Sequence, residues 1–190
     1  MVSTENVACE PRRTLGAILL SPPLTTGAAT LRHLQAAAEL LGCDSIEIAN
    51  LFAIPTSSSH EINEVGRLPQ GWLDARPALE QVLSMSHELI AGWGLPTGLH
   101  GPARLHHQAQ ASWVTEKVRA ITVDRATEER RAARRVPRPA SRGIWTLNGE
   151  PRHPSRWHQY VSDRHGRATG PTFKARLATV LHCVDLTEGP

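Results

Sequence analysis

Short apolar runs alternate with amphipathic segments along most of the chain. Four runs are short, apolar and without helical period, which predicts buried strands over residues 14–21, 45–53, 86–93 and 143–147. Apolar residues at helical spacing predict helices over residues 28–41, 72–83, 103–123 and 171–184. Strands that alternate with helices indicate parallel crossover connections. The pattern therefore predicts an α/β protein, a three-layer α/β/α sandwich around a mainly parallel, four-stranded sheet.

Three segments interrupt this alternation. Residues 1–13 are polar, and we expect them to form a flexible N-terminus. Residues 54–70 contain a serine run and two prolines, which is typical of a loop. Residues 124–142 hold seven arginines and end in a proline-containing stretch, which predicts an arginine-rich loop or insertion. A length of 190 residues is that of one domain, so we expect a single domain over residues 1–190.

Composition excludes several classes of protein. Mean hydropathy is −0.30, and no apolar run approaches the roughly 20 residues that a membrane span needs. The polar N-terminus lacks the apolar core of a signal peptide, so we expect a cytoplasmic protein. The three cysteines are far apart and show no metal-ligand spacing, so we expect neither a disulfide framework nor a metal. We also expect no cofactor.

The positive charge is carried almost entirely by arginine. The net charge is +3, and Lys117 and Lys174 are the only two lysines among 21 basic residues. A GC-rich genome favours arginine codons and would explain this bias. Phosphate binding would explain it equally, because the planar guanidinium makes paired hydrogen bonds to phosphate. Composition alone leaves both explanations open.

Two residues near predicted strand ends have side chains suited to chemistry. His153 lies between two prolines after the fourth predicted strand, and a neutral imidazole fixed there could donate a hydrogen bond to a leaving group. Asn50 lies in the second predicted strand, and its amide offers the donor and acceptor needed to read a base edge. Each residue could instead simply close a turn. Ligands of open α/β sheets bind at the carboxyl ends of the strands, where both residues are expected.

The ordered set of short motifs resembles the uracil-DNA glycosylase superfamily. The motifs are Ser21-Pro22-Pro23, Asn50, Ser59-His60, Trp93-Gly94 and His153-Pro154-Ser155. The closer similarity is to a bacterial branch of that superfamily with an Asn-Leu-Phe-Ala segment, here residues 50–53, and a Pro-Arg-His-Pro segment, here residues 151–154.

This resemblance implies an enzyme that flips a nucleotide out of DNA and hydrolyses its N-glycosidic bond. Asn50 would bind the flipped base, and His153 would stabilise negative charge on the departing base. Trp157 would be the wedge that fills the emptied stack. The base pocket would be formed by Ser21, Pro22, Pro23, Leu24, Thr25, Phe52 and Trp93. The DNA contacts would come from Arg152, Ser155, Arg156 and Trp157, and from Arg130, Arg131, Arg134 and Arg135 of the arginine-rich segment.

The first loop departs from the family pattern. Pro22 stands where the best-known members have a water-handling Asp, and Leu24 stands where they have a Tyr that blocks carbon 5 of the base. Thr25, Thr26 or a backbone carbonyl could orient water instead. A pocket without that Tyr is roomier, so we expect a C5-modified pyrimidine, such as a hyper-modified cytosine of phage DNA, as the substrate. An antiviral role would follow.

Two alternatives remain open at this point. The missing Asp is consistent with a non-catalytic binder of modified or damaged DNA. A nucleoside or nucleotide N-glycosidic hydrolase would need neither the wedge nor the basic segment. In the first two cases we expect double-stranded DNA as the partner. We expect no membrane partner and a monomeric protein.

Overall fold

The computed structural model describes residues 12–132, 143–162 and 168–186, and residues 125–132 are described by their backbone alone. The strands are β1 (Thr14–Leu19), β2 (Ser45–Asn50), β3 (Glu88–Gly92), β4 (Gly143–Leu147) and β5 (Leu181–Asp185). The α-helices are α1 (Ala28–Leu40), α2 (Ser59–Val65), α3 (Gln70–Leu73), α4 (Arg76–Met85), α5 (Gly101–Ala132), α6 (Trp157–Tyr160) and α7 (Phe173–Ala178). Two 3₁₀ turns cover Pro96–Gly98 and Pro154–Arg156.

The sheet has five strands in the order β2-β1-β3-β4-β5. Strand β1 is parallel to β2 and β3, β3 is parallel to β4, and β5 is antiparallel to β4. Helices cover the sheet, so the predicted α/β class and three-layer arrangement are confirmed. The prediction of four strands is wrong by one, because β5 adds an antiparallel edge.

Alternation along β1 divides the core between the two faces of the sheet. Ile18 packs with side chains of α4 and α5, whereas Leu15 and Leu19 pack with side chains of α1 and α7. Residues Leu15 to Leu19 are all buried, as expected for a central parallel strand covered on both faces. Burial on both faces explains why this strand appears in the sequence as a continuous apolar run.

The helix predicted over residues 171–184 is only partly correct. Helix α7 ends at Ala178, and the chain then pairs with β4 from Leu147↔Leu181 to Gly143↔Asp185. Thr172 caps the short helix by accepting a hydrogen bond from the Ala175 N–H at 3.1 Å. Backbone pairing to β4 therefore outweighs the helical spacing of the apolar residues in this segment.

Three other boundaries differ from the prediction. The expected loop over residues 54–70 contains α2, whose N-cap Ser58 accepts from the Glu61 N–H at 3.3 Å. The helix predicted over residues 72–83 is split into α3 and α4. Helix α5 continues to Ala132, so the first half of the expected arginine-rich loop is helical. Residues 1–11 and 133–142 lie outside the described residues.

No helix within the described residues is both long enough and apolar enough to cross a membrane.

Candidate functional site

A cavity of about 990 Å³ opens at the carboxyl ends of β1 and β3. Strand β2 pairs with one edge of β1, and β3 pairs with the other edge of β1. The gap between β1 and β3 is therefore the topological switch point, where open α/β sheets bind their ligands. The cavity walls come from residues 20–32, 56–62, 93–98 and 152–160.

The cavity contains some of the predicted site residues and leaves out others. Eight predicted residues line it, namely Ser21, Pro23, Thr25, Trp93, Arg152, His153, Ser155 and Arg156. The predicted residues outside its lining are Pro22, Leu24, Asn50, Phe52 and Trp157. Leu24 is 61% exposed, and Phe52 is fully buried against Trp72, with ring centroids 4.8 Å apart. Neither residue therefore forms the pocket wall that the sequence predicted.

Asn50 is the last residue of β2 and pairs in register with Leu19 at the end of β1. It lies at the same edge of the sheet as the cavity but is not in the cavity wall. Its Oδ1 atom is buried and has no hydrogen-bond partner among the described residues. A buried amide oxygen left unpaired is uncommon and costs free energy, so Asn50 Oδ1 is free to accept from a water or a ligand.

Hydrogen bonds to its neighbours fix the segment that carries His153. The carbonyl of Pro151 accepts from the Gly94 N–H at 2.6 Å, and the carbonyl of Arg152 accepts from the Trp157 indole N–H at 2.7 Å. Gly94 has φ +80°, a left-handed conformation that favours glycine and brings the turn after β3 close to His153. The segment before His153 is thus bonded to two separate elements.

The segment after His153 is fixed in the same way. The carbonyl of His153 accepts from the Arg156 N–H at 2.9 Å, which closes the 3₁₀ turn. The carbonyl of Pro154 lies 2.5 Å from Nδ1 of His33 on α1. Pro154 also packs against Gly92, where an added Cβ would lie 3.0 Å from its Cδ atom. The His153 imidazole is therefore held in place before any ligand arrives.

The local bonds of His153 select one tautomer of its ring. Nδ1 accepts from the Ser155 N–H at 3.3 Å and lies 2.8 Å from Ser155 Oγ. In the neutral ring the proton is therefore on Nε2. Burial lowers the pKa of His153 from 6.5 to about 4, and the positive charge of Arg156 adds to this effect. At neutral pH the ring is an uncharged donor on the cavity wall.

The cavity favours negatively charged ligands. Arg32, Arg152 and Arg156 line it, and no carboxylate does among the described residues. The start of α1 also lines it, and the first turn of α1 contains no acidic residue, so the positive end of the helix dipole is not neutralised there. Arg152 is partly engaged already, since it pairs with Glu150 and donates to the Tyr160 hydroxyl at 2.8 Å.

Two hydroxyl groups meet at one side of the cavity, that of the half-buried Ser21 and that of the buried Thr56. Ser21 Oγ and Thr56 Oγ1 are 2.6 Å apart, and both residues line the cavity. The Thr56 N–H also donates to the carbonyl of Pro22 at 3.2 Å, which joins the loop after β1 to the loop after β2. Sequence reasoning missed Thr56, because a contact between two loops leaves no local pattern.

Arg32 was also missed, although the sequence contains a signal for it. It follows the start of the helix after β1, and the carboxyl-edge rule brings that helix start to the ligand.

The structure does not place Trp157 on the surface, where a wedge would stand. Its side chain is fully buried in the core cluster of α1 and α7, and its indole N–H is bonded to Arg152. The 3₁₀ turn before it directs the chain inward, so Trp157 would have to leave the core to enter a base stack. Four predicted DNA contacts lie outside the side chains that the structure describes, namely Arg130, Arg131, Arg134 and Arg135.

Within the described residues, no group of three or more His, Cys, Asp or Glu side chains could hold a metal ion.

Comparison with known proteins gives a family and no individual relative. No curated protein matches the chain, and no solved structure matches it. Residues 12–155 match the family model described as "Protein of unknown function (DUF1643)". This range runs from the start of β1 through the His153 turn and contains most of the cavity wall. The chain therefore belongs to the DUF1643 family.

Proposed function

We propose that this protein is a DNA glycosylase that extrudes a base and hydrolyses its N-glycosidic bond, leaving an abasic site. The observation that carries the proposal is the neutral His153 imidazole, with its proton on Nε2, held on the wall of an arginine-lined cavity. A departing base takes the electron pair of the broken bond and becomes negatively charged. A fixed hydrogen-bond donor in a buried site stabilises that charge most in the transition state.

The charges around the cavity support DNA as the partner. Arg32 and Arg156 lie on its wall, where guanidinium groups can bind backbone phosphates on either side of an extruded nucleotide. Asn50, with its unpaired buried oxygen, lies at the same edge of the sheet. In the proposal, Asn50 binds an edge of the base once the base has entered.

The size of the cavity supports a bulky base. About 990 Å³ is at the upper end of the range of roughly 300–1,000 Å³ for small-molecule sites. Leu24 projects to solvent and does not narrow the cavity. It stands where the uracil-DNA glycosylase superfamily, which this chain resembles, has the blocking Tyr. The proposed substrate is therefore a C5-modified pyrimidine, such as a hyper-modified cytosine of phage DNA. Its excision in the bacterial cytoplasm would block phage replication.

The chemistry proposed is monofunctional. The C1′–N bond breaks with its electron pair going to the base, a water oxygen bonds to C1′, and the proton lost by that water balances the charge of the released base. A lyase step by a side chain would need a lysine amine at the site. The only two lysines of the chain bind carboxylates elsewhere on the surface, Lys117 with Glu80 and Lys174 with Glu39.

The proposal is tested with three DNA substrates, which are unmodified duplex, uracil-containing duplex and phage DNA with modified cytosines. We expect alkali-cleavable abasic sites in the modified DNA. Asn50→Ala and His153→Ala should each lower the excision rate on the order of 10²-fold. His106→Ala, at a half-buried position of α5 outside the cavity lining, is the matched control and should cleave at the normal rate. A folded protein that cleaves none of the three substrates would refute the proposal.

Two other functions are each favoured by one observation. The burial of Trp157 favours a hydrolase of free nucleotides, which needs no wedge. The absence of a carboxylate from the described cavity wall favours a protein that binds modified DNA without cleaving it. Turnover of free nucleotides would support the first alternative, and tight binding without abasic sites would support the second.

A further inference from the structure

We propose that the Ser21 and Thr56 hydroxyls together hold the water molecule that attacks C1′. This inference rests on the proposed function and adds to it the group that handles the nucleophile. Hydrolysis of an N-glycosidic bond needs a water on the sugar side of the pocket, and no carboxylate among the described cavity residues can bind it. Among the described cavity residues, Thr56 carries the one hydroxyl of a buried side chain, and it is paired with the half-buried Ser21.

The pair is fixed in position. Thr56 is 6% exposed, and its Oγ1 lies 2.6 Å from Ser21 Oγ. The backbone of Thr56 is bonded to Pro22 at 3.2 Å and forms an isolated parallel bridge with Pro23. Both hydroxyls are therefore anchored in backbone that is itself bonded across two loops. A water bound to these hydroxyls would therefore already be in a fixed position before the reaction begins.

The two hydroxyls keep enough free donors and lone pairs to bind a water. Each hydroxyl has one donor and two acceptor lone pairs. The bond between Ser21 and Thr56 uses one donor and one lone pair. One O–H and three lone pairs remain in the pair, which is sufficient to accept from a water and to donate to it.

A pair of hydroxyls can orient a water but cannot remove its proton as a carboxylate can. That is sufficient if the C1′–N bond is largely broken first, because the cation-like sugar then reacts with neutral water. The water oxygen forms the new bond to C1′, and its proton leaves through the hydroxyls and solvent to the anionic base. The atoms balance as substrate plus water giving free base and an abasic hemiacetal.

The test compares Thr56→Val, which removes the hydroxyl and keeps the shape, with Thr56→Ser, which keeps the hydroxyl. Thr122→Val is the matched control, since Thr122 is equally buried at 6% but its hydroxyl bonds only within α5. Three quantities are measured, which are the single-turnover excision rate, the affinity for an uncleavable duplex, and the ratio of methyl glycoside to hemiacetal formed in methanol–water mixtures. Ser21→Ala repeats the test at the second hydroxyl.

We expect Thr56→Val to lower the excision rate about 10-fold or more, with affinity unchanged, because only the placement of the nucleophile is lost. The share of methanol in the product should rise, because the site no longer favours water. Thr56→Ser should retain the wild-type rate and product ratio. Thr122→Val should match the wild type in all three measurements.

The outcomes separate this inference from the proposed function. An active wild type with a fully active Thr56→Val variant would overturn the inference and leave the glycosylase proposal standing. A slower variant with an unchanged methanol share would assign Thr56 a purely structural role and also overturn the inference. If Thr56→Val does not fold, Ser21→Ala decides by the same criteria. A wild type that produces no abasic sites would overturn both proposals.

Discussion

Nδ1 of His33 lies 2.5 Å from the carbonyl oxygen of Pro154, so helix α1 is bonded directly to the residue that follows His153. Because a carbonyl can only accept, the His33 proton lies on Nδ1. The His33 ring also stacks on Phe173, with centroids 4.7 Å apart. One side chain thus links the turn that carries the imidazole to α1 and α7.

His33→Phe keeps the stacked ring and removes the N–H donor to Pro154. We expect it to lower the free energy of unfolding by about 1 kcal/mol, the usual contribution of one hydrogen bond, and to slow excision about 10-fold by releasing the His153 turn. Chemical denaturation and single-turnover kinetics measure the two effects. His33→Asn, whose amide can reach the same carbonyl, should restore part of the lost stability and part of the lost excision rate. If His33→Phe changes neither quantity, the bond does not position His153.

The rate of excision should not depend on the protonation of His153 near neutral pH. Its pKa is lowered to about 4, so the ring is neutral from about pH 5 upward. We expect an NMR titration of the His153 ring to have its midpoint near 4 and the rate to show no inflection from this residue between about pH 5.5 and 7.5. An inflection near 6.5 that disappears in His153→Gln would contradict the neutral-donor mechanism.

His107 should make the protein sensitive to acid. It is 3% exposed on α5, and neither ring nitrogen has a partner among the described residues. Burial lowers its pKa from 6.5 to about 4 in the folded protein. Because the folded pKa lies below the unfolded one, the unfolded state binds more protons as pH falls from about 6.5 to 4, and stability is lost in this window.

His107→Leu removes the titrating group and should reduce this acid-induced loss. A pKa difference of this size corresponds to about 3 kcal/mol across the window. Denaturant unfolding at neutral pH and near pH 4.5 measures it. His106→Leu changes the neighbouring, half-buried histidine and should leave the acid sensitivity intact. Equal acid sensitivity in His107→Leu and the wild type would show that other groups cause the loss.

Arg32 and Arg156 should supply phosphate contacts that depend on salt. Substitution of each by Gln should weaken DNA binding, and each lost phosphate contact should reduce the slope of log K against log salt by roughly 0.9. Binding titrations over a range of salt concentrations measure the slope. Arg67→Gln is the control, because Arg67 pairs with Glu64 outside the cavity. Unchanged slopes in both cavity variants would remove these arginines from the DNA interface.

Trp157→Phe should affect folding before it affects DNA binding. The indole N–H bond to Arg152 is lost and the smaller ring leaves space in the core, so we expect a loss of about 1–3 kcal/mol in the free energy of unfolding. Denaturant unfolding measures this loss. Normal stability together with weakened binding to duplex DNA would restore Trp157 as a wedge.

The elements that the sequence predicted well are those with strong local signals. The continuous apolar run of β1 and the short run of β4 have no helical period, and both strands form where expected. Helix α2 had a local signal that the serine-rich composition concealed. Ser58 and Glu61 are spaced as in a capping box, and Ser58 does cap the helix.

The features that the sequence did not predict depend on distant contacts. Strand β5 forms because β4 offers it backbone partners, although the same residues are also spaced as in a helix. Trp157 is buried because α1 and α7 cover it, and nothing in the neighbouring residues distinguishes it from an exposed aromatic side chain. The bond between Ser21 and Thr56 joins positions 35 residues apart. Sequence patterns report local spacing, and these three outcomes are decided by packing.

The two sides of the cavity are supported independently, and this affects how the family can diverge. The backbone around His153 is bonded to the turn after β3, to α1 and to the buried indole. The residues of the opposite rim are all exposed, namely Pro23, Leu24, Thr25 and Thr26. Selection can therefore alter the rim to admit ligands of new size at little cost in folding stability. Such changes would leave the imidazole undisturbed, so the rim can change while the arrangement around His153 stays the same.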